Sequence, residues 1–96
     1  MTRTLLTEEQ IQQQLRELKG WTRSGNEIKK TVRLQDFVRA MGFVNSVALL
    51  AEKMDHHPDI DIRWNTVHLT LSTHSAGGLT EYDFTLARQI DQLSPT

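Results

Sequence analysis

The residues best suited to chemistry lie in one short run, Glu52-Lys53-Met54-Asp55-His56-His57-Pro58, and at His74, so that three of the four histidines belong to this group. An imidazole exchanges its proton near neutral pH, and two of them in different surroundings can divide the work of acid and base. Glu52 precedes His56 by one helical turn. That spacing puts its carboxylate on the same helical face, where it is expected to hold the His56 ring. Pro58 disfavours a helical conformation at His57 and turns that side chain elsewhere. Proton transfer by two or more histidines is the chemistry this pattern suits.

Blander readings stand beside it. Adjacent histidines before a proline also end surface helices without further purpose. Zinc is a rival, but two neighbouring residues rarely ligate one ion, and the sequence has neither H-E-x-x-H nor any cysteine, so no metal is expected. Trp21 and Trp64 can stack on a flat ring or fill a core. Asp83 completes a cap begun by Thr80 and needs no ligand. His68 faces away from Val67 and Leu69, toward solvent or an interface. Gly77-Gly78 lacks the spacing of a phosphate loop and serves a turn.

The elements that must carry these residues follow from periodicity. Thr7-Glu8-Glu9-Gln10 has the form of a capping box, and Ile11, Leu15 and Leu18 recur at helical spacing, which predicts a helix from Glu8 to Leu18 stopped by Gly20. A short strand at Trp21-Thr22-Arg23 turns through Ser24-Gly25-Asn26 into a strand from Glu27 to Leu34. Lys30 breaks the apolar alternation of that strand, which suggests an edge position with the ammonium reaching water. Phe37, Met41, Val44, Ala48 and Ala51, widened by Val38, Val47 and Leu50, predict a long helix ending near Asp55. Ile60, Ile62 and Trp64, then Val67, Leu69 and Leu71, alternate around a tight turn at Asn65-Thr66. This hairpin returns the chain to its starting level and so should bring His74 back to His56 and His57. His74 to Gly78 reads as a flexible loop, and Thr80 caps a last helix with Leu79, Phe84, Leu86, Ala87, Ile90 and Leu93 on its apolar side. Ser94-Pro95-Thr96 reads as a frayed tail. The expected fold class is α+β, one four-stranded antiparallel sheet with three helices packed on one face.

Bulk properties agree with a single domain. The chain has 96 residues, 38% of them hydrophobic and 24% charged, which suits one compact core and neither disorder nor a membrane protein. Eleven basic residues against 12 acidic leave a formal charge of -1, so no field advertises nucleic acid or an anionic membrane. No cysteine is present, which removes disulfides and thiolate chemistry. No stretch has the length of a signal peptide or a membrane span, and a cytoplasmic location is the expectation.

The run Glu52-x-x-x-His56-His57-Pro58, the aromatic Trp64, His74 and Asp83 together resemble the signature of the pterin-4a-carbinolamine dehydratases. The likeness extends through Gly20-Trp21, Asp36-Phe37, Gly42-Phe43, Ala51-Glu52-Lys53 and Leu71-Ser72-Thr73-His74, covering about Leu6 to Leu93. One departure is Ile60, where some members carry an aromatic. The resemblance implies a hydro-lyase without cofactor or metal, acting on a 4a-hydroxy-tetrahydropterin, as a homodimer or homotetramer. It implies catalytic roles for His56, His57 and His74, and a pterin bound by Glu52, Asp55, Trp64, Ser72, Thr73 and Ser75. His56 is expected as base and His74 as acid, although the reverse fits the sequence equally. Coupling to an aromatic amino acid hydroxylase would supply the substrate. Two other roles stay open: a binding partner, since some animal members dimerise with a homeodomain transcription factor, and a place in another pterin pathway such as molybdopterin metabolism.

Overall fold

The computed structural model describes residues 1–93, and the expected frayed tail lies outside them. The elements are α1 (Glu8–Arg16), β1 (Thr22–Ser24), β2 (Glu27–Arg33), α2 (Phe37–Met54), β3 (Asp59–Arg63), β4 (Thr66–Leu71), a short 3-10 turn (His74–Ala76) and α3 (Glu81–Asp91). All strand pairs are antiparallel, in the order β1-β2-β4-β3. The α+β expectation of one four-stranded sheet with three helices is met.

One face of the sheet builds the core. Ile28, Val32, Val67, Leu69 and Leu71 are buried with Ile11 of α1, Phe43, Val47 and Ala51 of α2, and Phe84, Leu86, Ala87 and Ile90 of α3. The alternate residues Lys29, Thr31, Arg33 and His68 stay exposed on the opposite face. That division is the period of two that a half-buried antiparallel sheet imposes.

Three expectations change. Lys30 is not on an edge strand, because β2 lies between β1 and β4. It tolerates its place on the apolar side because Nζ meets Oδ1 of Asp91 at 2.7 Å, the same oxygen that accepts from Nε1 of Trp21 at 2.8 Å. Trp21 is thereby a core residue with its one donor satisfied. The inner stripe of α2 is Ala40, Phe43, Val47 and Ala51, while Phe37 and Val38 are exposed. Apolar residues lie on more than one side of this helix, so periodicity alone leaves its rotation undetermined. The β3–β4 turn is Trp64-Asn65, one residue earlier than expected, since Arg63 pairs with Thr66. Asn65 fixes that turn, its Nδ2 donating to the Leu34 carbonyl at 3.0 Å while its own carbonyl accepts from Leu34 N at 2.8 Å.

Candidate active site

The end of α2 delivers the histidines. Helix hydrogen bonding stops at Met54, and Asp55 takes a left-handed conformation, φ 52° and ψ 47°. Its N–H donates to Glu52 O and the His56 N–H to Ala51 O, both within 3.1 Å, which closes the helix as a Schellman turn. The reversal swings His56 inward. Its side chain is 6% exposed, and Nε2 lies 2.6 Å from Oδ1 of Asp83. Glu52 therefore does not hold His56, as its helical spacing suggested. Because His56 lies beyond the last helical residue, the helical face count no longer applies to it, and the Glu52 carboxylate instead meets Nε2 of the exposed His57 at 2.6 Å.

Asp83 is the hub. It is fully buried, and its second oxygen accepts from Thr80 N at 2.9 Å and from Thr73 Oγ1 at 2.8 Å. Thr80 and Asp83 form the capping box of α3, so one carboxylate both starts the helix and grips an imidazole. With Asp83 accepting on both oxygens, the proton of a neutral His56 ring sits on Nε2. Nδ1 has no partner among the described residues, and no buried side-chain polar atom lacks one, so Nδ1 opens to solvent.

The β3–β4 hairpin closes the site. Asp59 pairs with Thr70, so the segment after Leu71 returns beside His57. Thr73 bridges to Gly78, and His74–Ala76 forms a 3-10 turn ended by Gly77 at φ 77°, an ordered turn where a flexible loop was expected. Arg3, Asp55, His56, His57, Ser72, Thr73, His74 and Ser75 line one pocket of about 180 Å³. Larger hollows lie on the outer sheet face and between α2 and α3, but the first holds only His68 and the second no imidazole. The acid-base groups converge in the smaller one.

Of the residues expected at the site, His56, His57, His74, Asp55, Ser72, Thr73 and Ser75 line the pocket, and Glu52 reaches it through His57. Two of the expected substrate contacts are otherwise engaged. Ser72 donates its hydroxyl to Asn26 O at 2.8 Å, and the buried Thr73 hydroxyl is taken by Asp83 and Thr80. Trp64 is absent from the pocket: it occupies the turn at the other end of the hairpin, 68% exposed with φ 54°. The strand β3, five residues long at roughly 3.3 Å per residue, separates it from the histidines. Sequence reasoning missed Arg3, the Asp83–His56 contact and Tyr82, whose ring packs against His56 at 5.6 Å.

The family model described as pterin 4 alpha carbinolamine dehydratase matches residues 4–93. Relatives named for that dehydratase include one from Nocardia farcinica (strain IFM 10152), 58% identical over 98% of this chain and 99% of its own length. Another, from Roseiflexus sp. (strain RS-1), is 57% identical over 94% of this chain and 97% of its own. Among solved structures, a transcriptional coactivator/pterin dehydratase from Brucella melitensis superposes with a TM-score of 0.86 at 41% identity, covering 90% of this chain and 94% of that one. A pterin dehydratase-like protein described as a RuBisCO assembly factor in the alpha-carboxysome shares the fold alone, with a TM-score of 0.60 at 21% identity over 74% of this chain and 82% of that one. On the family match over residues 4–93 and on identities of 57% and 58% across nearly the full length, the chain belongs to the pterin-4a-carbinolamine dehydratase family.

Proposed function

We propose that this protein is a cytoplasmic hydro-lyase that removes water from 4a-hydroxy-tetrahydropterin to give quinonoid dihydropterin, without a metal, in support of tetrahydropterin recycling for aromatic amino acid hydroxylases. The observation that carries the reading is the buried Asp83–His56 pair, whose open Nδ1 shares a pocket with His57 and His74. In the substrate, C4a bears the hydroxyl and the adjacent N5 bears a proton. Nδ1 of His56 takes the N5 proton, the electron pair forms the C4a=N5 bond, and the C4a–O bond breaks. His74, exposed and with no side-chain hydrogen bond among the described residues, gives a proton to the departing oxygen, which leaves as water. One proton is taken and one given, so the site returns to its starting state by proton exchange with solvent. His57, braced by Glu52, assists binding at the rim, and Asp55 and Ser75 flank the pterin.

Stopped-flow absorbance of 4a-hydroxy-tetrahydropterin decay, after chelation of metals, tests the reading. Accelerated decay is expected, with His56→Ala and His74→Ala each lowering turnover about 10²–10⁴-fold in a folded protein. Unaccelerated decay by a folded sample that binds a pterin would overturn it in favour of a binding role.

A further inference from the structure

The pocket has one wall that the histidine motif does not reach. The first residues of the chain run past the start of α3, where Leu6 N donates to Leu79 O at 3.0 Å. Leu5 lies over Gly78, where a Cβ would meet its Cδ2 at 3.0 Å, so Gly78 leaves room for the crossing. This strap carries Arg3 to the pocket rim. There Nη2 donates to the Asp55 carbonyl at 2.6 Å, and the guanidinium sits over the Tyr82 ring, 4.2 Å from its centroid. Tyr82 in turn packs against His56. Arg3 thus touches the residue before His56 and the ring beside it. Asp55 is the weak point of this corner. A left-handed conformation strains a non-glycine residue and persists only where its surroundings impose it. A charge-assisted bond to its carbonyl and a stacked cation are two such constraints.

We propose that Arg3 is a positioning residue for His56, the strap acting as a clasp that holds the left-handed turn at Asp55 closed. The kinetic arm of its test rests on the dehydratase reading; the exchange arm does not. In the full chain, Arg3→Ala is expected to lower kcat about tenfold, less than the roughly 10²-fold that a 1 Å misplacement of a catalytic group can cost, with KM unchanged. Amide hydrogen exchange at Asp55 and His56 is expected to quicken while that of Val67 and Leu69 stays at the wild-type rate. Arg3→Lys, which keeps a cation for the ring and a donor for the carbonyl, is expected to recover most of both effects. Wild-type kcat together with wild-type exchange in Arg3→Ala would overturn the clasp, and so would a rise in KM alone, which would make Arg3 a substrate contact. Should the wild-type protein fail to accelerate the decay, the dehydratase reading falls and the exchange result decides the clasp by itself.

Discussion

Asp83 satisfies the Thr80 amide and the Thr73 hydroxyl with one oxygen and orients His56 with the other, so substitutions can separate structure from chemistry. Asp83→Ala leaves His56 Nε2 and the Thr80 amide without a partner, while the Thr73 hydroxyl keeps Thr80, and is expected to cost about 2–6 kcal/mol in urea unfolding, at about 1–3 kcal/mol for each buried group left unpaired. Asp83→Asn keeps the shape. Its amide oxygen can still accept from Thr80 N, but its NH₂ then faces Nε2 of His56, and two donors repel. The ring relieves this by moving its proton to Nδ1, which removes the lone pair from the nitrogen open to the pocket. Turnover is therefore expected to fall about 10²–10⁴-fold in a folded protein, with ring ¹⁵N shifts reporting the changed tautomer. Unchanged turnover would remove His56 Nδ1 from the mechanism. The sequence made the histidines legible because a proline stops a helix at them. It hid the second use of Asp83, because a capping box already accounts for an acid three residues after Thr80. Trp64 misled for a related reason: in strand alternation it continues Ile60 and Ile62, and nothing local reveals that the turn begins there.

At the level of elements, helix starts and strand alternation were readable because both follow from short-range chemistry. The rotation of α2 and the interior position of β2 depend on which neighbours the sheet order supplies, and that is not local. One tertiary contact between elements has a pH signature. Arg23 of β1 grips Glu8 in the first turn of α1 through two bonds of 2.7 Å. That hydrogen bond, aided by the charge of Arg23, holds the Glu8 carboxyl below its ordinary value of 4.5, against a smaller opposing effect of desolvation. A carboxyl depressed in the folded state adds stability above its unfolded value, and that stability is lost as pH falls through the folded value. Glu8→Gln should thus melt below wild type at neutral pH, and the two melting curves should converge as the solution is acidified below the ordinary Glu range. A gap that persists in acid would assign the effect to packing instead.

On the scale of the molecule, the hairpin return that gathers the histidines also sets two unlike ends apart. The pocket lies where α2 ends, whereas Trp64 and the start of α2, with Phe37 and Val38 exposed, lie at the other end. Along α2 some of the residues outside the core stripe are apolar too, Val38 being 77% and Leu49 75% exposed, and β3 lies at an edge of the sheet. An apolar helix face and an unpaired strand edge are both surfaces that a second copy of the chain can cover. The homo-oligomer expected from the sequence is therefore proposed to assemble through one or both. Sedimentation velocity is expected to find an assembly larger than 11.0 kDa. Leu49→Glu puts a charge on the helix face and leaves the pocket residues untouched, so it is expected to yield a smaller species that retains its melting cooperativity. If Leu49→Glu leaves the assembly intact, the interface belongs to the β3 edge, and Ile62→Pro becomes the substitution that should break it, because Asp59, Asp61 and Arg63 turn their amides to β4 and Ile60 and Ile62 turn theirs to the open edge. A wild-type monomer at working concentration would leave both surfaces uncovered and end the oligomer proposal.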